Sequence, residues 1–134
     1  MEFIIADSDR METGPLNVSR TLDLDIGDTN DFELTVSASD SRSMGLDYDC
    51  ALICPGTEYG GILSDKWSST GSSAVKWYGD TWRGMLAKKV VEPPAGLAYR
   101  TVSGEAHAVM RGLVTGLFGD LIRVSDADSG ITVN

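Results

Sequence analysis

The sequence has little of the chemistry that catalytic and metal sites usually need. It contains one histidine and two cysteines in 134 residues and no CxxC pair, which leaves too few soft ligands for a zinc site. Fingerprints such as GxSxG, HExxH, the P-loop and the dinucleotide-binding glycine motif are absent from it. We therefore predict that the protein is not an enzyme and has no catalytic residues, no cofactor and no bound metal.

Long apolar runs and an excess of positive charge are also missing. No run approaches the roughly 18 residues needed to cross a bilayer, and "MEFIIADSDR" has an acid at position 2, unlike a signal peptide. Twenty acids against 11 bases give a formal net charge of −9, which opposes general attraction to nucleic acid or to an anionic membrane. We expect no membrane partner and no specific nucleic acid binding.

The two cysteines, Cys50 and Cys54, are predicted to share one strand. At about 3.3 Å of rise per residue they would lie roughly 13 Å apart, beyond the ~7 Å limit for a disulfide. Both are therefore predicted to be reduced, which fits synthesis in a reducing, intracellular compartment.

The first half of the chain alternates apolar and polar residues, which is typical of strands with one buried face. The alternating apolar residues of a predicted first hairpin are Leu22, Leu24 and Ile26, then Phe32, Leu34, Val36 and Ala38. An opening strand is predicted at residues 3–6, another at 51–54, and a second hairpin from strands at 61–67 and 73–78. At this length one domain, 1–134, is the expectation.

Two helices are predicted in the second half. The first begins at Asp80 as N-cap and ends before "EPP". The second is longer: Ser103 caps it, Glu105 lies in its first turn, and Gly119 follows its end. A strand from Leu121 to Val124 and a turn then lead to a strand that starts at Ile131. The fold class is α+β, mainly antiparallel β with one short and one longer helix, and the abrupt ending predicts a fragment of a longer chain.

The second helix carries the one candidate assembly surface. Gly104, Ala108, Gly112 and Gly116 recur every four residues, and glycine in a helix costs about 1 kcal/mol relative to alanine. Such a helix indicates close packing against a neighbour. A strand of the same chain is the simpler partner, and a second subunit in a homo-oligomer is the functional one.

Other candidate sites have simpler structural explanations. His107 has Ser103 one turn away, but that hydroxyl is better explained as a helix cap than as a nucleophile. The acidic segments "DADSG" and "DLDIGDTND" are typical of solvated turns, and no metal is assigned to them. Trp77 and Trp82 could stack on nucleotide bases beside Arg83, Lys88 and Lys89, but core packing at the junction of strand and helix is favoured.

Several motifs, taken together, resemble a known family. "PGTEYGGILSDKW", a variable hairpin, "VKWYGDTWRGMLAKKVVEPP" and "YRTVSGEAHAVMRGL" resemble in order and spacing the amino-terminal region of tail-tip hub proteins of long-tailed bacteriophages and prophages. The resemblance covers most of residues 55–113. It implies a barrel-like structural virion protein with no catalytic residues in this region.

The resemblance also implies a location and partners. Hubs of this family are trimers that close the tail tube, contact the distal tail protein and carry further domains, so the full-length protein is expected to be a trimer at the virion tail tip, made in the bacterial host cytoplasm. DNA would pass through the lumen without specific binding. Two alternatives stay open. One is a small hydrolase or ligand-binding module that uses His107 and nearby acids, and the other is a carbohydrate-binding β-domain that uses Trp67, Trp77 or Trp82 exposed on a flat face.

Overall fold

The computed structural model describes residues 1–24, 31–115 and 123–133. The chain divides into two compact units, Met1–Lys88 and Lys89–Asn134. The expectation of a single domain over 1–134 stays a prediction.

The first unit is built on one antiparallel sheet of seven strands. The strands are β1 (Ile4–Ala6), β2 (Glu12–Pro15), β3 (Thr21–Leu24), β4 (Phe32–Ser37), β5 (Ala51–Ile53), β6 (Gly60–Ser68) and β7 (Ala74–Thr81). They lie in the order β2-β1-β5-β6-β7-β4-β3. Both predicted hairpins are confirmed, because β3 pairs with β4 and β6 pairs with β7. The α+β class with mainly antiparallel β-structure is confirmed as well.

The sheet is curled into a half-barrel, for a reason visible in its connections. Strands β2 and β3 lie at its opposite edges, yet only residues 16–20 join them. A segment of that length spans at most about 20 Å. The two edges must therefore approach each other, which a flat sheet of seven strands would not allow.

The core of the first unit packs against the central strands of this sheet. Strands β4 and β7 alternate between buried and half-buried residues along their whole length, as the period-two pattern predicts. The fully buried large side chains include Trp77, Phe32, Leu34, Leu52 and Leu63. Cys50 and Cys54 are buried and free, as expected.

Two short helices complete the first unit. Helix α1 (Ala38–Ser43) was not predicted; it ends the alternation of β4, so Ala38 belongs to it and not to the strand. Helix α2 (Trp82–Ala87) lies where a helix was predicted, but the predicted N-cap is wrong. Thr81 caps it by accepting a hydrogen bond from the amide of Gly84 at 3.1 Å, while Asp80 still belongs to β7 and pairs with Ile62.

The second unit contains β8 (Gly104–Glu105), α3 (Ala106–Val114) and β9 (Thr132–Val133), and β8 pairs with β9. Its helix starts later and ends sooner than predicted. Glu105 is the N-cap, accepting from the amide of His107 at 2.7 Å, so the assignment of Ser103 as cap is wrong. Gly119 and Leu121 lie outside the described residues, and Val124 is not in a strand.

Candidate functional site

The stretch from residue 77 to residue 94 begins at a buried tryptophan. Trp77 lies in the middle of β7 and has no exposed surface. Its indole Nε1 donates to the hydroxyl of Ser41 at 3.0 Å. The ring of Tyr48 meets it edge-on, with the ring centroids 5.7 Å apart, and the ammonium of Lys66 lies 4.8 Å from its centroid. Core packing is confirmed for Trp77, which is not placed to stack on a base.

A buried carboxylate joins three elements at the end of β7. Asp31, directly before β4, is 3% exposed. Its Oδ1 accepts from the amide of Thr81 at 2.6 Å, and its Oδ2 accepts from the hydroxyl of Thr81. Since that hydroxyl also accepts from Gly84, one threonine links the start of β4, the end of β7 and the first turn of α2. We call Asp31, Thr81 and Gly84 the joint.

Glycine is required in the joint for space. A Cβ added to Gly84 would lie 2.6 Å from Asp31 Oδ2 and 2.7 Å from Oδ1, closer than real Cβ contacts. Space is also restricted where Gly60 meets Trp82. A Cβ added to Gly60 would lie 2.3 Å from the carbonyl oxygen of Leu52 and 2.7 Å from the indole nitrogen of Trp82. The pattern "GxTWRG" therefore specifies a close approach of helix and sheet.

The basic side chains of the motif have acidic partners close by. Arg83 forms an ion pair with Glu58, and Lys88 forms one with Asp80 at 2.5 Å. These contacts neutralise the charges of Arg83 and Lys88, which a nucleotide-binding interpretation of the stretch would use.

The third tryptophan is on the outside. Trp67 is 52% exposed and pairs with Lys76 across β6 and β7. Lys76 in turn binds Glu33 on β4 at 2.7 Å, and this hydrogen bond raises the pKa of the lysine. Of the three tryptophans, Trp67 therefore has the exposure that the carbohydrate-binding alternative requires, Trp82 is half-buried and Trp77 is buried.

The predicted small-residue stripe is only partly placed on a helix. Gly104 lies in β8 with φ of +127°, so its assignment to the helix is wrong. Ala108 and Gly112 lie in α3 and are exposed, and a Cβ added to Gly112 would meet nothing within 4 Å. Gly116 lies outside the described residues. Neither a strand nor any other described element packs closely on Gly112, and its role in assembly stays a prediction.

The start of α3 is organised by Glu105. Its Oε1 accepts from the amide of Ser129 at 2.7 Å and from the hydroxyl of the same residue, and its Oε2 accepts from the amide of His107. Chiefly through the serine hydroxyl, these donors lower the pKa of Glu105 to about 2. The carboxylate thereby ties β8, α3 and the segment before β9 together.

His107 has the carboxylate neighbour that the hydrolase alternative asks for. Its Nδ1 lies against Glu105 Oε2, although the two atoms are not aligned as a hydrogen bond. The order of the groups differs from that of a nucleophilic triad, in which the serine hydroxyl donates to the imidazole. Here Ser129 donates to the glutamate instead, so the histidine is not placed to take its proton.

The acidic segments do not gather into a metal site where the structure describes them. In "DADSG", Asp126 pairs with Arg111 and Asp128 accepts from the amide of Gly130 at 2.8 Å. Most of "DLDIGDTND" falls on residues 25–30, outside the described residues. Within residues 1–24, 31–115 and 123–133, no group of three His, Cys, Asp or Glu side chains could hold a metal ion.

The Arg20 side chain joins the segment between β2 and β3 to the start of the chain. The Arg20 guanidinium donates to the carbonyls of Leu16 at 2.8 Å, Val18 at 3.1 Å and Met1 at 3.2 Å. It also lies 5.9 Å from the ring centroid of Phe3. We call this region, between the start of β1 and β3, the seam. An open groove with a cavity volume of about 530 Å³ runs along it.

Sequence reasoning missed both the joint and the seam. A signal for the joint was present, since Thr81 follows Asp80 and hydroxyl residues are preferred N-caps. No local pattern marks Asp31, which looks like one more acid in a polar turn. Nor does one mark Arg20, whose acceptors among the described residues are main-chain carbonyls.

Comparison with known proteins adds no relative. No protein-family model, no curated protein sequence and no solved structure matches the chain. In the described part of the chain, no helix is long and apolar enough to span a membrane.

Proposed function

We propose that this chain is a structural protein of a phage or prophage tail tip, the amino-terminal part of a baseplate hub. It would assemble with copies of itself, as a trimer in the full-length protein, and with the distal tail and tube proteins. Its acidic surface would let DNA pass through a lumen without binding it specifically.

The proposal rests on the role that the motif residues have in the fold. The residues on which the resemblance rests hold the fold together: Trp77 fills the core, and Thr81 and Gly84 form the joint with Asp31. A motif used for packing suits a protein whose work is assembly. The curled, barrel-like sheet is the architecture that the resemblance implies.

Binding to neighbouring tail proteins tests this function. The chain, with whatever its gene encodes after Asn134, would be co-expressed with the distal tail and tube proteins from adjacent genes. We expect a complex in which the mass of the hub component is that of three copies. A longer chain that stays monomeric and binds neither protein would refute the proposal.

A carbohydrate-binding role is the second candidate, because Trp67 lies exposed on the outer face of the sheet. The faces of exposed indole rings pack against the C–H groups of sugars. Titration with surface polysaccharides, followed by tryptophan fluorescence, would show saturable binding that the Trp67→Ala variant loses. Identical titrations of the two proteins would exclude a role for this residue.

A further inference from the structure

The residues that lead into β3 present one face to the groove along the seam, which we call the seam groove. Arg20, Leu22 and Leu24 are half-buried and line it. Thr21 and Asp23, which lie between them, are exposed. This alternation has the period of an extended strand. The groove is therefore bordered by a cation and then two apolar side chains at regular strand spacing.

The seam groove lies beside a strand edge that can accept another strand. Strand β3 pairs with β4 on one side and with no other described strand. The unpaired N–H and C=O groups of such an edge are a template for an added peptide. Small ligands usually bind in pockets that bury most of their surface, which an open groove does not do. The geometry therefore favours an extended peptide over a small molecule.

The seam groove lacks an acid to match its arginine. Its lining among the described residues contains Arg20 and no carboxylate. Asp23 is on the exposed face of β3, and Glu2 is exposed and lines a neighbouring opening. A guanidinium has five N–H donors, and the three hydrogen bonds of Arg20 all go to neutral carbonyls. Its charge therefore has no ion-pair partner in the described part of the chain.

The same strand of a second copy would not supply that acid. On the face that borders the seam groove, β3 and the residue before it carry Arg20, Leu22 and Leu24. Pairing β3 with β3 would bring a second arginine to this face, because Asp23 points to the other one. Charge complementarity therefore favours a different polypeptide that carries an acid.

We propose that the seam groove binds an extended segment of a partner protein, in which one acidic and two apolar side chains alternate with polar ones. The segment would extend the sheet at β3, with its acid opposite Arg20 and its apolar side chains opposite Leu22 and Leu24. Main-chain hydrogen bonds would supply affinity, and the three side chains would supply specificity. The inference goes beyond the proposed function, because it identifies the partner by the chemistry of one segment.

Titration with synthetic peptides tests the contact on the unaltered protein. The probe is a fluorescein-labelled peptide with glutamate, valine and isoleucine at alternate positions, separated by threonines. It is made in both sequence orders, since an added strand can be parallel or antiparallel to β3. At about 0.15 M salt we expect saturable binding of at least one order in fluorescence anisotropy. Glutamine in place of the glutamate should weaken that binding about tenfold, because a charge-assisted hydrogen bond is lost.

A pair of protein variants tests whether Arg20 is the residue that recognises the acid. Arg20→Gln should remove the preference for the glutamate peptide over the glutamine peptide. Arg42→Gln is the matched control, because it removes the same charge from an exposed position in α1, and it should keep the preference. Since Arg20 also holds the seam, amide NMR of the unaltered protein gives a second measure. The peptide should shift the signals of residues 1–3 and 18–24.

Several results would overturn the proposal. Equal affinities for the glutamate and glutamine peptides would do so, and so would NMR shifts that lie away from the seam groove. If dodecanoate shifts the groove residues and the peptides do not, the groove binds small amphiphiles instead. If those signals shift with protein concentration alone and no peptide binds, a second copy occupies the groove.

The outcome is separable from that of the proposed function. If the chain binds the distal tail and tube proteins but the peptides do not bind in the groove, the peptide contact fails and the hub function stands. If the peptides bind as expected but no tail protein does, the groove stands as a peptide-binding site and the hub function fails.

Discussion

Replacing Gly84 with alanine tests the joint directly, because two effects of opposite sign compete there. Helix propensity favours alanine over glycine by about 1 kcal/mol. Against this, the new Cβ would lie 2.6 Å from Asp31 Oδ2, so the buried carboxylate has to move. Each charge-assisted hydrogen bond that it loses costs roughly 1.5–3 kcal/mol. With weakening of both bonds to Thr81, the expected net loss in free energy of unfolding is roughly 2 kcal/mol.

This loss is measurable by urea or thermal unfolding followed by tryptophan fluorescence. In a unit of this size 1 kcal/mol shifts Tm by roughly 4–8 °C, so Gly84→Ala should lower Tm by about 8–16 °C. Gly112→Ala is the matched control, since its Cβ meets nothing within 4 Å. It should stabilise α3 by up to about 1 kcal/mol.

A double-mutant cycle separates the clash from other effects of the added methyl group. In an Asp31→Ala background the space beside residue 84 is free, so Gly84→Ala should be neutral or stabilising by up to about 1 kcal/mol. A Gly84→Ala protein as stable as the original would refute the reasoning. The same conclusion follows if the loss is undiminished in the Asp31→Ala background.

Two further predictions concern the core and the start of α3. Trp77→Phe should lower the free energy of unfolding by about 2 kcal/mol, because Ser41 loses its indole donor and the smaller ring leaves a cavity. The same change at the exposed Trp67 should alter it by no more than about 0.5 kcal/mol. Similar losses for both variants, in urea unfolding followed by circular dichroism, would contradict the placement of Trp77. The pKa of Glu105 is lowered from 4.5 to about 2 in the folded protein. Its contribution to stability is therefore complete above the pKa of the unfolded state and is lost as the pH falls toward the pKa of the folded state. The helicity of α3, followed by NMR, should decline between about pH 4.5 and pH 2, and the Glu105→Gln variant should lack this decline. A pH profile that this variant leaves unchanged would show that the hydrogen bonds from Ser129 and the amides do not depend on the charge of Glu105.

The central strands β4 and β7 were predictable because one face of each is buried. In β4 the buried residues Phe32, Leu34 and Val36 recur with the period of the pleat, and the same rule identifies β7. Strand β2 could not be found this way. Its sequence is Glu12–Pro15, mostly exposed, and proline and glycine are tolerated there because it lies at a sheet edge.

Helix boundaries were less predictable, because several hydroxyl and acidic residues compete to cap each helix. Asp80 and Thr81 are both acceptable N-caps, and the length of the β6–β7 ladder decides between them. Helix α1 has no apolar stripe, although Ser37 followed by Asp40 is a capping pattern: the hydroxyl of Ser37 accepts from the Asp40 amide at 3.0 Å.

The candidate sites were least accessible to sequence reasoning, because their members are distant in the chain. Asp31 and Thr81 are 50 residues apart, and one sequence gives no reason to connect them. Glu105 and Ser129 are 24 residues apart. Only the folded arrangement shows that these polar residues bind one another.

The dependence of the seam on one side chain, Arg20, sets where native-state fluctuations should begin. Elsewhere in the first unit, neighbouring strands share backbone ladders that open only cooperatively. At the seam, the hydrogen bonds to Leu16, Val18 and Met1 all come from one guanidinium, so a single rotamer change releases them together. Release of Met1 from the segment that joins β2 and β3 is thus decoupled from global unfolding, because the ladders of the sheet stay intact.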